Sequence, residues 1–252
     1  FKNKQKLNEF EENLVRSSEY SGFLETEKDI KKIKSFRKGD WWVQDFSSFF
    51  PLHNLGINNK EKLVLDSCAA PGGKSFQLLS KNFRVELNDK SSLRIQILKT
   101  NLNRLNFKTT IINQDFTEFK TNKKYDFIVV DAPCSAVGTI RKNPEIFFKK
   151  NGPNFNKLTL LQAKMLDKAA LLLNKDGYIL YMVCSFLQKE TTDQIYRFLD
   201  KEMNFKLSKF KLLNQNIKYS KLIKGNFMIT LPTTINKYNI DGYFASFLKK
   251  IK

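Results

Sequence analysis

The sequence predicts an α/β fold, a mostly parallel seven-stranded sheet flanked by helices, preceded by a short N-terminal accessory segment. Three observations carry this. From Lys62 onward short apolar runs alternate with stretches of helical periodicity, the pattern of strands joined by crossover helices. Acidic residues close successive runs, Asp89 after the second, Asp115 after the third and Asp131 after the fourth. The chain of 252 residues is 41% hydrophobic with 23 Phe, enough to bury a full core.

The strands expected in order are Lys62–Asp66, Phe83–Asn88, Thr109–Asn113, Tyr125–Val130 and Gly177–Val183, with two more near Phe227–Leu231 and Gly242–Leu248. Between them, Ser91–Leu105 puts Ile95, Leu98, Leu102 and Leu105 on one helical face. Leu158–Leu173 reads as a second long helix, ended by Asn174 and a Lys175-Asp176-Gly177 turn. Residues 1–40 differ: they are charged, helical in part, and without a strand rich enough to nucleate a sheet. They form the accessory segment, and residues 41–252, from Trp41-Trp42-Val43-Gln44-Asp45 onward, form the catalytic unit. The chain begins at Phe1 rather than Met, consistent with residues upstream of it.

Composition excludes several classes. No apolar run approaches the roughly 20 residues of a membrane span, and no basic-then-apolar leader precedes a small-residue cleavage site. Three cysteines, without CxxC spacing, do not build a disulfide framework or a zinc site. The single His53 cannot build a histidine metal site, and no GxSxG elbow is present. We therefore expect a cytoplasmic, reduced, metal-free monomer. The formal charge of +19, from 44 Lys+Arg against 25 Asp+Glu, suits a polyanionic partner. A lysine-rich, AT-biased composition, abundant in Lys, Asn, Ile and Phe, accounts for it equally well.

The chemistry-bearing stretch begins at Leu63-Val64-Leu65-Asp66, which runs into Cys68-Ala69-Ala70-Pro71-Gly72-Gly73-Lys74: a strand, a small-residue loop and a helix start. In open α/β sheets ligands bind at the carboxyl ends of strands, where such a loop lets backbone approach a cofactor. A phosphate-binding loop ending in Gly73-Lys74-Ser75 needs Gly at position 68, which is Cys68. A GxGxxG dinucleotide fingerprint is also absent, and an S-adenosylmethionine loop survives both tests. A carboxylate such as Asp89, beyond the second strand, can accept from ribose hydroxyls, and Asp115, at the third, from an adenine amino group. Each alone is as easily a helix cap or turn residue. The fourth strand runs into Asp131-Ala132-Pro133-Cys134-Ser135 and the fifth into Val183-Cys184-Ser185, so two cysteines face one crevice. A single Cys is usually a small buried hydrophobe; two at adjacent strand exits beside a cofactor loop suggest more.

Here the sequence resembles a known family, the RsmB/NOL1/NSUN (Fmu-type) RNA cytosine-C5 methyltransferases, over roughly Trp41 to Lys252. Gln44-Asp45 matches the family's Gln-Asp motif, and Cys68 to Lys74 matches its cofactor loop letter for letter. Asp131 to Ser135, with Gly138, Arg141 and Pro144, matches the Pro-Cys motif; Cys184-Ser185, with Glu190, matches the Thr-Cys motif. Asp241-Gly242-Tyr243-Phe244 with Ala245 matches the C-terminal Asp-Gly-Phe-Phe element. The resemblance implies a Rossmann-like S-adenosylmethionine-dependent methyltransferase fold whose residues 1–40 are part of an N-terminal RNA-recognition subdomain. It implies that Cys68, Ala69, Ala70, Pro71, Gly72, Gly73, Lys74, Asp89, Asp115 and Asp131 bind S-adenosyl-L-methionine. It makes Cys184 the nucleophile and Cys134 the group that assists release of the methylated base, with 16S ribosomal RNA as the default substrate. Three departures stand out. Val183 replaces the Thr before the nucleophile, Ala136 replaces a Gly, and the His often found before the Asp-Gly-Phe-Phe element has no equivalent between Pro232 and Asp241.

The chemistry explains why two cysteines matter. Carbon 5 of cytosine is a poor nucleophile until a thiolate adds at carbon 6. Only the thiolate reacts, so nearby positive charge, for which Lys74 is a candidate, must favour it. Asp131 is placed to hydrogen-bond the base edge, and the target base must leave its stack. Two rival readings are an RNA-binding or assembly factor that keeps the fold without activity, and a DNA methyltransferase. The intact cysteine pair and cofactor loop weigh against the first, and the missing Pro-Cys-Gln and Glu-Asn-Val signatures against the second. The Lys28–Lys38 basic run and Arg141-Lys142 are the expected phosphate contacts.

Overall fold

The computed structural model describes residues 1–57, 62–148, 150, 152–212, 219–235 and 238–252. Five parallel strands form its centre: β3 (Leu63–Asp66), β4 (Arg84–Asn88), β5 (Thr110–Ile112), β6 (Tyr125–Asp131) and β7 (Leu173–Val183), in the spatial order β5-β4-β3-β6-β7. Beyond β7, β13 (Tyr243–Lys250) runs antiparallel, pairing Phe244 with Val183. That reversal brings the start of β13 to the exit of β7. The seventh position is shared. β10 (Phe227–Thr230) pairs with the first half of β13 and β8 (Phe205–Ser208) with the second, while the two-residue β9 (Ile223–Lys224) extends the edge. The expected seven strands are therefore nine among the described residues, because one position is split and one edge lengthened.

Alternation along the buried strands divides the core into two layers. Phe127 and Val129 of β6 face one cluster with Val64, Leu87 and Phe247, covered by α3 (Phe46–His53), α4 (Gly73–Ser80) and α5 (Ser92–Arg104). Ile128 and Val130 face the other, with Leu65, Tyr181 and Phe244, covered by α6 (Phe155–Leu172) and α7 (Thr192–Lys201). Helices on both faces explain why these strands read as apolar runs rather than alternating ones. Among the described residues no helix is long and apolar enough to cross a membrane.

Two elements differ from expectation. The long helix starts at Phe155, where the Asn154 side chain accepts from the backbone N–H of Lys157, and it ends at Leu172. No separate turn follows: β7 begins at once with Leu173, and the Lys175-Asp176-Gly177 stretch lies inside the strand. There Asp176 takes a φ of 60° and the register against β6 shifts between Tyr125 and Phe127. A turn-forming sequence has thus been absorbed as a strand irregularity.

The N-terminal segment contains α1 (Lys4–Asn8), α2 (Lys34–Arg37) and an unexpected hairpin of β1 (Leu14–Arg16) with β2 (Gly22–Leu24). Its turn is held by hydroxyls, with Ser21 Oγ 2.8 Å from Ser17 Oγ and 2.6 Å from Ser18 Oγ. Apolar alternation does not signal such a hairpin, because side-chain hydrogen bonds replace it. Phe23 stacks on Phe46 and on Tyr238, and Arg104 of α5 donates to the carbonyls of Phe36 and Trp41, so the segment packs against the sheet domain. A second hairpin, β11 (Thr233–Ile235) with β12 (Tyr238–Ile240), precedes β13.

Candidate active site

The parallel strands deliver their carboxyl ends to one edge, and the site is assembled there. Asp66 ends β3, and the loop after it is tied down by backbone: Ser67 N donates to Val129 O at 3.0 Å and Ala69 N to Asn88 O at 2.9 Å. At Gly72 the chain turns into α4 with φ 120°, and a Cβ there would meet the Phe76 ring at 2.0 Å, so this turn requires glycine. Asp89, buried beyond β4, accepts from Ala70 N at 3.1 Å and Ser91 N at 2.9 Å, while the Arg94 guanidinium lies 3.5 Å away and also donates to the Ala70 carbonyl. Beneath the loop, Ser75 Oγ donates to Asp66 Oδ2 at 2.6 Å, and Asp66 Oδ1 is buried without a hydrogen-bond partner. Burial pushes the Asp66 carboxyl up to about 6, against the pull of Ser75 and Lys74.

Three carboxylates surround this loop. Burial, then the charges of Asp131, Asp66 and Asp89, push the Cys68 thiol up to about 12, so Cys68 is not the reactive sulfur. A small-residue cradle rimmed by carboxylates suits a ligand carrying ribose hydroxyls, an ammonium and a sulfonium. Asp115 lies at the rim: it is exposed, and Oδ1 accepts from both Thr117 N and Thr117 Oγ1.

Asp131, at the end of β6, is gripped from two sides. Lys74 Nζ donates to Oδ2 at 2.7 Å and the Tyr243 hydroxyl donates to Oδ1 at 2.7 Å, with the ammonium 5.4 Å from the Tyr243 ring centroid. Burial would lower the Lys74 pKa, but the Asp131 charge and hydrogen bond, then Asp66 and Cys184, hold it above its ordinary value. Lys74 is therefore cationic, within electrostatic reach of Cys184.

Cys134 and Cys184 meet at the exits of β6 and β7 with their sulfurs 3.3 Å apart, both as free thiols. The hydrogen bond to Cys184, then burial, pushes the Cys134 thiol well above its ordinary value. The two loops are locked together: Gly138 N donates to Cys184 O at 3.0 Å, and Gly242 N to Gly138 O at 2.7 Å. A Cβ on Gly138 would lie 1.9 Å from Gly242 O, so the three motifs can close only on glycine. Fully buried Glu190 anchors the Pro-Cys loop, accepting from Ser135 N at 2.8 Å, Ser135 Oγ at 2.5 Å and Gln162 Nε2 at 3.2 Å.

Arg141 and Lys142, which the sequence offered as phosphate contacts, both have carboxylate partners in the structure. Lys142 Nζ bridges Asp45 Oδ2 at 2.8 Å and Asp241 Oδ2 at 2.6 Å, and Arg141 lies 3.2 Å from Asp241 Oδ1. Their charge is spent joining Gln44-Asp45 to the C-terminal element. A cavity of about 560 Å³ opens on Cys134, Ser135 and Ala136 and is bordered by Asn143, Asn154 and Lys157. A larger one, about 880 Å³, lies between the N-terminal segment and α3 and holds neither Cys134 nor Cys184. The smaller cavity touches a cysteine, Cys134. Sequence reasoning missed Tyr243, Arg94 and Gln162 as site residues. Only Tyr243 carried a signal, a phenol where the Asp-Gly-Phe-Phe element has its first Phe.

A family model for 16S rRNA methyltransferase RsmB/F matches residues 53–249. The chain belongs to this family. Among RsmB/F relatives, Ribosomal RNA small subunit methyltransferase B of Shewanella oneidensis is 33% identical over 90% of this chain and 52% of its own length. The protein of the same name from Pasteurella multocida is 30% identical over 88% and 50%. The chain therefore spans about half the length of the curated relatives it matches. The crystal structure of PH0851 superposes with TM-score 0.81 at 26% identity, over 98% of this chain and 56% of that one. NSun6 from Pyrococcus horikoshii with SFG superposes with TM-score 0.75 at 22% identity, over 89% and 57%, which shows the shared fold. S-adenosylmethionine is the cofactor of this family, and the carboxylate-rimmed cradle fits it.

Proposed function

We propose that this chain is the catalytic part of a 16S ribosomal RNA methyltransferase that transfers a methyl group to carbon 5 of a cytosine through a covalent Cys184 adduct. The observation that carries this is the cysteine pair, 3.3 Å apart beside a cationic Lys74 and the gripped Asp131. S-adenosylmethionine, when bound, supplies the methyl group, and Asp66, Asp89, Asp115, Asp131 and the Cys68–Lys74 loop are the residues that would hold it. Cys184 adds to carbon 6 of the extruded base as thiolate, favoured by the ammonium of Lys74. Asp131, an acceptor, meets the cytosine edge where N4 carries hydrogens and N3 gains a proton. Cys134 retains its proton beside Cys184, in position to assist when the carbon 5 proton leaves and the Cys184–carbon 6 bond breaks. The pocket on Cys134 offers space for a base that has left its stack, an extrusion costing a few kcal/mol in a helix.

The test is bisulfite sequencing of ribosomal RNA from cells with and without the gene, paired with methyl transfer in vitro from labelled S-adenosylmethionine to small-subunit RNA. One cytosine should be protected only when the gene is present. Label appearing on another base, or on none, would refute the proposal.

A further inference from the structure

Phe148 is 82% exposed, whereas Phe186, the next most exposed Phe among the described residues, is 38% exposed and lies against Gly242. A single apolar side chain in water is ordinary on a protein surface, and it is the place of this one that matters. Pro144–Phe148 forms a short 3-10 helix, in which side chains three residues apart eclipse, so Phe148 stands on the face of Glu145. Glu145 and Ile146 border the cavity of about 560 Å³ that opens on Cys134, and Asn154 and Lys157 border it from the start of α6. Phe148 therefore stands at the rim of the space by which a base reaches the two sulfurs.

Charge sets this rim apart from Arg141 and Lys142. Those two are held by Asp45 and Asp241, whereas Lys157 is exposed and has no carboxylate partner among the described residues. Lys150, two positions after Phe148, is exposed as well, and Lys164 continues the basic stripe two turns further along α6. An unburied ring beside unpaired ammonium groups is the combination that holds single-stranded nucleic acid, with rings for the bases and cations for the backbone. Glu145 is the acid on the rim, set against these three lysines.

We infer that Phe148 is a stacking platform for the base next to the target nucleotide, with Lys157 meeting a phosphate beside it; this rests on RNA as the substrate in the reading above. Extruding one nucleotide strips its neighbour of a stacking partner, and the Phe148 ring covers the face that is laid bare. Every base has a π-face, so this contact holds the strand at the cavity mouth without choosing its sequence.

The probes are a short oligocytidine RNA and a chain of equal length with every base removed, titrated by fluorescence anisotropy into the full chain. S-adenosylhomocysteine is present so that no methyl transfer occurs. Phe148→Ala should weaken oligocytidine binding by roughly tenfold, the weight of one stacked base, and leave binding of the abasic chain unchanged. Phe148→Trp should restore the loss. Lys157→Glu should weaken both RNAs alike, because a phosphate contact is blind to the base. Unchanged oligocytidine affinity in Phe148→Ala would overturn the inference and leave the ring for a protein contact. An equal loss on both RNAs, or no rescue by Trp, would also overturn it, since either gives Phe148 a merely structural role. Lys157→Glu sparing either RNA would overturn the phosphate contact. Binding is read without turnover, so methyl label on a base other than cytosine overturns the proposed reaction alone, whereas wild-type protein that binds neither RNA overturns both.

Discussion

The sulfurs of Cys134 and Cys184 lie 3.3 Å apart although 50 residues separate them in the chain. The contact to Cys184, then burial, pushes the Cys134 thiol well above its ordinary value, and the proposed roles of the two sulfurs differ. In Cys184→Ser no covalent RNA adduct should form. In Cys134→Ser the adduct should form and release slowly, so gel-stable complexes accumulate only in that variant. Accumulation in the Cys184 variant would reverse the two roles.

Asp89 is more than a turn residue, because its carboxylate also receives the Ala70 N–H from the Cys68–Lys74 loop. Asp89→Ala should weaken S-adenosylmethionine binding by about 1–3 kcal/mol, from unpaired ribose hydroxyls and a loosened loop. Calorimetry showing unchanged affinity would reduce Asp89 to a support for the start of α5.

The ion pairs change which charges to test. Reversing Arg141 and Lys142 to Glu would set two new acids against Asp45 and Asp241, and we expect a lower melting temperature in thermal denaturation. Lys31, Lys32 and Lys34 are exposed in the N-terminal segment and are better probes of RNA contact. Reversing all three should raise the RNA dissociation constant and make the log–log salt slope shallower by roughly 2 to 3, with cofactor affinity intact. An unchanged slope would return the +19 charge to composition.

His53 is buried, with neither ring nitrogen hydrogen-bonded, and burial followed by the Lys81 charge lowers its pKa to about 3. The folded value lies below the ordinary 6.5, so the unfolded chain takes up the proton first on acidification. Stability is complete above about 6.5 and falls as pH drops toward about 3, by at most about 1.4 kcal/mol per pH unit. Asp66, raised to about 6, acts oppositely: its contribution is full below the unfolded value of 3.8 and lost as pH rises through about 6. His53→Leu isolates the histidine. Urea midpoints at pH 7 and pH 5 should show the wild type losing about 2 kcal/mol more than the variant over that interval. Equal losses would refute a buried neutral imidazole.

The order of strands along the chain, the small-residue loop after β3 and the places of both cysteines at strand exits were legible in the residues, because those features are local. Apolar runs bounded by Asp66, Asp89 and Asp131 mark where strands end, and small residues from Cys68 to Gly73 mark where backbone must come close to something else. The Lys175-Asp176-Gly177 stretch was misread for the same reason. Local turn chemistry predicts a break, and pairing with β6 overrides it with a shifted register.

What only the tertiary structure decided is who partners whom. Antiparallel β13 lies beside β7, so the Tyr243 hydroxyl reaches an Asp 112 positions earlier, and no periodicity carries that. The same holds for Lys142, whose partners Asp45 and Asp241 lie 97 and 99 residues away, and for Glu190, which reaches back 55 residues to hold Ser135. Strand and helix are set by neighbours a few residues apart, whereas a hydrogen bond between side chains depends on which strands the sheet places next to each other. Residue types and strand ends therefore determined the kind of site, and sheet order determined how its charges are paired.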